Sequence, residues 1–225
     1  MAVSFWNTLA FPWQACMEEA WSAYRAGSVP IGAVVTAANG KILSRGRNRI
    51  SESIADGGYL YGQTLAHAEL NALVTLPGED VDRHSCILYS TFEPCPLCLG
   101  ALYMSSVREI RYAARDPFAG SVNLLGKTPY LSRKPIKVIG PVQADLEVLN
   151  IGWHAEYSLR ERGEQDKGII MLLDTWREVV PLGVRLGERL FHSGILRQLE
   201  AAGASLDQVV DKLADVYRED SYASL

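Results

Sequence analysis

The sequence predicts an α/β protein, a layered sandwich of helices around one sheet, continued by a helical C-terminal extension. Three observations carry that expectation. Short apolar strands alternate with helical patterns over residues 7–140, the arrangement of a layered α/β domain. After about residue 150 only helical patterns remain, which places a domain at 1–150 and an extension at 151–225. Two clusters of metal-binding residue types, His67-Ala68-Glu69 and Pro94-Cys95-Pro96-Leu97-Cys98, fall where helices are expected to start.

Residues 7–26 form the first helix, because Leu9, Trp13, Cys16, Met17, Ala20, Trp21 and Tyr24 recur at helical spacing and Gly27 ends the run. Residues 31–35 are a buried strand, Asn39-Gly40 marks a hairpin, and residues 41–47 return. Asn48 ends that strand, where its amide can offer an acceptor and donors to a ring edge or simply turn the chain. Residues 50–63 have no usable period and read as a long loop, a common place for a binding wall. Its Tyr59 and Tyr61 suit stacking on a ring as well as packing at a subunit interface. A helix over 64–76 with Thr64 as its cap follows, then a strand over 85–90, a helix over 96–105 and strands at 109–113 and 137–139. In the extension, helices are expected over 168–180, 181–202 and 205–217. Pro181 separates the first two, and Ser205 with Gln208 forms a capping box for the third.

Composition narrows the function. A chain of 225 residues with 48% hydrophobic and 21% charged residues is that of a globular protein, with no run near the ~20 apolar residues of a membrane helix. The N-terminus shows no basic segment followed by an apolar core, so no secretory signal is expected. The cysteines are Cys16, Cys86, Cys95 and Cys98; with two assigned to a metal no disulfide framework remains, and a cytoplasmic setting is expected. Residues 1–150 hold 13 Lys/Arg and 13 Asp/Glu, and residues 151–225 hold 9 and 13, so the whole net charge of -4 lies in the extension. Neither part has the basic excess of a nucleic-acid surface. Arg45, Arg47 and Arg49 alternate at a strand end and read as a solvated strand face.

The motif chemistry is specific. Cys95 and Cys98 offer two thiolates to one ion and His67 offers a third ligand, which leaves one tetrahedral position of a single zinc ion open. Pro94 and Pro96 fix a turn that starts a helix at the first thiol, and a helix start favours thiolate. Glu69 suits proton transfer beside a metal-bound water. Residues two apart do not share a helix face, so His67 and Glu69 can serve one ion only at an irregular helix start. A second His-x-Glu, at His154-Ala155-Glu156, has no cysteine after it and is set aside. A structural zinc module would need a fourth protein ligand. The spare candidates Cys16, Cys86, His84, His154 and His192 lack useful spacing.

His-x-Glu followed by Pro-Cys-x-x-Cys is the signature of zinc-dependent base deaminases. With Val29-Pro30-Ile31-Gly32-Ala33-Val34, Ala66-His67-Ala68-Glu69 and Glu93-Pro94-Cys95-Pro96-Leu97-Cys98-Leu99-Gly100-Ala101, the chain resembles the cytidine deaminase-like superfamily over residues 7–140. Within it the chain is most similar to the branch of tRNA adenosine, guanine and fungal-type cytosine deaminases. Cys86-Ile87-Leu88-Tyr89 and the Pro-Leu between the thiols resemble guanine deaminases, and Ala114-Arg115-Asp116 resembles the tRNA enzymes. The resemblance implies a three-layer α/β/α sandwich with a five-stranded mixed sheet and a homodimer. It implies zinc on His67, Cys95 and Cys98, proton transfer by Glu69, and substrate contacts from Asn48 and the Ala68 backbone N–H. The expected reaction is hydrolytic removal of the exocyclic amine of a guanine-like free base, with ammonia released. The alternatives are adenosine in tRNA, a nucleoside or cytosine. The stretch between Asn48 and His67 is longer than in the tRNA enzymes and the extension matches no part of the family. The extension is expected to pack or pair, or to form a lid carrying Trp153, His154 or Trp176.

Overall fold

The computed structural model describes residues 4–54, 57–78 and 80–222; residues 55 and 56 of the expected long loop lie outside the described residues. The chain divides into two compact units, Phe11–Val142 on the one hand and the N-terminal residues through Ala10 with Gln143–Leu225 on the other.

The first unit is built on five strands: β1 (Gly32–Thr36), β2 (Ile42–Arg47), β3 (Ile87–Phe92), β4 (Glu109–Ala114) and β5 (Lys137–Ile139). Their order is β2-β1-β3-β4-β5. β1 runs antiparallel to both neighbours, and β3, β4 and β5 run parallel, so the sheet is mixed. Three helices cover it: α1 (Phe11–Arg25), α2 (Ala68–Val74) and α3 (Pro96–Met104).

Two glycines show which helix lies on which face. A Cβ on Gly32 would fall 2.1 Å from the Cys16 carbonyl oxygen of α1. One on Gly46 would fall 2.3 Å from both the Ala68 oxygen and the Ala72 nitrogen of α2. Gly46 is the register partner of Ala33, the neighbour of Gly32, and successive strand residues point to opposite faces. So α1 covers one face and α2 the other, and at both places backbone approaches backbone closely enough that only glycine fits. Ala33, Val35, Leu88 and Ile110 then join Ala68, Ala72, Leu99 and Leu102 in one apolar cluster under α2 and α3. The result is the three-layer α/β/α sandwich with a five-stranded mixed sheet.

Several boundaries differ from the sequence expectation. The first helix begins at Phe11, with residues Trp6–Thr8 in a separate 3-10 turn. Strand β3 starts two residues late because Arg83–Ser85 forms a 3-10 turn, capped by the Asp82 carboxylate accepting from the His84 N–H. Helix α2 starts at Ala68 with His67, not Thr64, as its N-cap.

The second unit is helical: α4 (Ala144–Arg162), α5 (Lys167–Val179), α6 (Pro181–Ser193), α7 (Ile195–Ala201) and α8 (Leu206–Tyr222). The sequence shows no usable period for α4. The reason is burial on nearly every side: Leu146–Trp153 and Ala155–Leu159 are all buried, so no amphipathic stripe exists to be seen. α4 runs through residue 150. The helix expected over 181–202 breaks into α6 and α7 at Gly194, whose φ of +64° is left-handed. The Ser205 N–H donates to Gln208 Oε1 at 3.0 Å, one half of the expected capping box. Trp6 N–H donates to Asp211 Oδ1 at 2.9 Å, tying the N-terminal turn to α8. Among the described residues no helix is long and apolar enough to cross a membrane.

Replacing Gly46 with alanine should therefore displace α2 and cost about 1–3 kcal/mol of stability by overpacking. Urea unfolding of the variant against wild type reads this directly; an unchanged midpoint would show that α2 yields without cost.

Candidate metal centre

The site is made by two helix starts at the same end of the sheet. β3 ends at Phe92, and the chain turns through Glu93 and Pro94 into Cys95, the N-cap of α3, with Pro96 as its first residue. Proline suits that position because its missing N–H has no intrahelical partner to lose. Cys98 follows in the first turn and is buried. On the other side His67 is the N-cap of α2, with extended backbone at φ -75° and ψ 154°. Glu69 lies inside the first turn and is 4% exposed. The irregular cap is what lets His67 and Glu69 turn to one point.

His67 Nδ1 lies 3.6 Å from Cys95 Sγ and 3.4 Å from Cys98 Sγ. All three ligand atoms fall within 4.8 Å of one another, and this is the one such metal-holding group among the described residues. A tetrahedral zinc with bonds of about 2.3 Å to sulfur and about 2.05 Å to nitrogen sets the nitrogen roughly 3.5–3.6 Å from each sulfur and the sulfurs roughly 3.8 Å apart. The donor set therefore fits zinc in both type and spacing.

Charge at the site is coupled. A hydrogen bond from the Cys98 thiol, helped by His67, pulls the Cys95 pKa down to about 4. The same contact with Cys95, together with burial, pushes Cys98 up. A metal ion binds both sulfurs as thiolates, so its binding displaces the proton that the Cys95 contact and burial favour on Cys98. His67 is raised, first by its hydrogen bond with Cys95. Glu69 is raised by burial, with His67 opposing. Its carboxylate spans the site: Oε2 is 3.4 Å from Cys98 Sγ, and Oε1 accepts from Ser90 Oγ at 3.1 Å.

Ala68 opens α2 and is buried, so its N–H belongs to the first helical turn, which has no intrahelical acceptors. Asn48 is 4% exposed, and its Oδ1 accepts from the Ile50 N–H at 3.2 Å, leaving the amide NH₂ as the end that can serve a ligand. The arginine strip is tied to acids. Arg45 pairs with Glu18 at 2.6 Å, and Arg47 and Arg49 both pair with Glu52 at 2.9 Å. The Arg49 guanidinium also lies over the Tyr59 ring at 5.1 Å. Trp153 and Trp176 are buried, and the His154 ring packs against Trp176 at 4.9 Å. His192 pairs with Glu164 at 2.8 Å, and Cys16 lies on α1, across the sheet.

Two residues escaped the sequence reading. Ser90, a hydroxyl on a buried strand, holds Glu69. Asn71, fully buried on α2, accepts from the Leu60 N–H at 2.7 Å and donates to the carbonyls of Leu60 and Arg47 at 3.1 and 3.0 Å. It pins the long loop to the helix that carries His67. The signal for both was a polar side chain at a position the pattern marks as interior.

Residues 10–114 match the family model for the cytidine and deoxycytidylate deaminase zinc-binding region. That stretch, just under half of the chain, is similar to this zinc-binding region and contains His67, Glu69, Cys95 and Cys98. Curated relatives include the tRNA(Ile)-lysidine synthase of Deinococcus radiodurans, 42% identical over 96 residues, which are 42% of this chain and 15% of that one. The tRNA-specific adenosine deaminase of Agrobacterium fabrum is 34% identical over 113 residues, which are 46% of this chain and 64% of that protein. The chain thus spans less than two thirds of either relative. A solved guanine deaminase from Nitrosomonas europaea superposes with a TM-score of 0.50 at 25% identity, covering 66% of this chain and 85% of that one. The zinc-binding deaminase domain and the His67, Cys95 and Cys98 cluster coincide.

Changing Cys98 to serine should abolish stoichiometric zinc and lower the melting temperature, since metal binding and folding are coupled. Metal analysis of the purified variant, paired with a thermal melt, checks both. Zinc retained at one per chain would exclude Cys98 as a ligand.

Proposed function

We propose that the protein is a zinc-dependent aminohydrolase that removes the exocyclic amine of a guanine-like free base. The observation that carries this reading is a buried carboxylate, Glu69, set against a three-ligand His-Cys-Cys cluster. Three protein ligands are the number a catalytic zinc uses.

A bound zinc supplies Lewis acidity, bringing the pKa of a coordinated water towards ~7. The chain's own groups handle the protons. Glu69 accepts one at a carboxylate oxygen and passes it to the ring nitrogen beside the reacting carbon. It then passes the second to the departing amine. The C–N bond breaks, a carbonyl forms, one water is consumed and ammonia leaves. Burial keeps bulk water away and raises the affinity of Glu69 for a proton, which suits a group that must take and return one. Ser90 holds Oε1, so the carboxylate keeps one orientation throughout. The Asn48 amide and the Ala68 N–H provide hydrogen bonds for the edge of the ring.

A free base is favoured because Glu18 and Glu52 neutralise the arginine strip, and because the Nitrosomonas europaea structure is of a guanine deaminase. The Agrobacterium fabrum relative supports the second reading, adenosine in tRNA. A homodimer and a cytoplasmic setting complete the proposal. α3 carries no charged residue on any side, yet Leu97 and Met104 are exposed on it, which suits pairing with a second copy. Four free cysteines suit a reducing compartment.

Glu69→Gln should keep zinc and lower ammonia release by about 10²–10⁴-fold. Ser90→Ala should lower it by only about 5-fold, the worth of one ordinary hydrogen bond. Assaying ammonia release from guanine, adenine, cytosine, their nucleosides and a tRNA anticodon stem-loop decides the substrate. Guanine turned over fastest supports the proposal. Turnover of the stem-loop alone, with binding that weakens steeply as salt rises, selects the tRNA reading instead.

A further inference from the structure

Glu93 lies two residues before Cys95 and outside the donor set. Its two carboxylate oxygens take different partners in the segment that follows β4. Oε2 accepts from the Asp116 N–H at 3.2 Å, and Oε1 accepts from the Val122 N–H at 3.2 Å. The backbone beside it is tied to the same region. Glu93 N–H donates to the Ala114 carbonyl at 2.7 Å, and Ser121 N–H donates to the Pro94 carbonyl at 3.0 Å. Residues 115–122 are themselves tightly wound. Gly120 N–H reaches the Asp116 carbonyl at 2.7 Å, and Asp116 Oδ1 accepts from the N–H groups of Phe118 and Ala119 at 3.0 and 3.1 Å.

Gly120 makes room for the carboxylate. A Cβ there would fall 2.5 Å from Glu93 Cδ, 2.6 Å from its Oε2 and 2.5 Å from the Asp116 carbonyl oxygen. A half-buried carboxylate has thus been given a cradle of backbone donors and a position where only glycine fits. The Pro94 carbonyl that Ser121 holds belongs to the peptide that joins Pro94 to Cys95. Whatever fixes this loop fixes the plane of that peptide, and with it the direction of the Cys95 side chain.

We propose that Glu93 is a positioning residue of the metal centre: its carboxylate clasps residues 115–122 to the Pro94-Cys95 turn and so aims the Cys95 sulfur at the ion. It acts through backbone hydrogen bonds. The inference rests on the metal-binding reading of the cluster and is independent of the choice of substrate.

The test compares wild type, Glu93→Gln, Gly120→Ala and the double variant. Zinc affinity is read by competition with a chromophoric chelator, coordination geometry by the visible spectrum of the cobalt(II)-loaded protein, and folding by the melt of the metal-free form. Glu93→Gln should weaken zinc binding by about 10- to 100-fold, the usual effect of losing an outer partner of a metal ligand. Gly120→Ala should do the same from the other side of the clasp, and both should alter the cobalt bands. The double variant should be no weaker than the weaker single, since both break one device. Wild-type affinity and spectrum in Glu93→Gln would overturn the proposal, even with a lowered melt, because only a general structural role would then remain. Losses that multiply in the double variant would overturn it too. A folded wild type that takes up neither zinc nor cobalt would overturn the reading of the site itself.

Discussion

The structure depends on one constraint: two helix starts must be held side by side so that an imidazole and two sulfurs reach the same point. A helix start has unpaired N–H groups and favours negative charge. Placing Cys95 at one such start and His67 at the other gathers thiolate-stabilising dipoles around the ligand atoms. The sheet sets the spacing. α2 can lie as close as it does only because Gly46 offers no side chain beneath it, and α3 shares its apolar bed of Leu88, Val35 and Ile110.

Burial gives the site its chemistry. Glu69 is buried in the first turn of α2, where a carboxylate is costly unless partnered. Ser90 and Cys98 flank it, and His67 opposes the cost of its charge. The same low-polarity surroundings that penalise an idle carboxylate make one useful for receiving and returning a proton. Asn71 extends the site outward by fastening the long loop to α2 at Leu60.

Much of the sandwich was legible in order and type because α1 buries one face at helical spacing, while β1 and β3, buried on both faces, read as short apolar runs. The helical unit shows the limit. α5 and α8 have clear apolar stripes and were expected, whereas α4, buried almost all round with Glu147, Asn150, Glu156 and Ser158 inside, has no stripe to read. Gly194 broke a predicted helix because a left-handed residue there lets α6 and α7 turn, and a lone glycine in a helical pattern does not announce its φ. The close crossing of α6 on α4, where a Cβ on Gly187 would fall 2.4 Å from that of Ala155, is likewise invisible along one chain segment.

The sequence by itself determined the metal chemistry. The identity and order of His67, Glu69, Cys95 and Cys98 limit the ion, the ligand count and the acid nearby, because soft thiolates and an imidazole select a zinc-like ion whatever surrounds them. Only the tertiary structure decided how those residues meet. It made His67 a cap and not a helical residue, brought Ser90 to Glu69 from a strand 21 positions away, and set acids against every arginine of the basic strip. Such pairings join residues distant in sequence, and a local pattern carries no record of the neighbour that folding supplies.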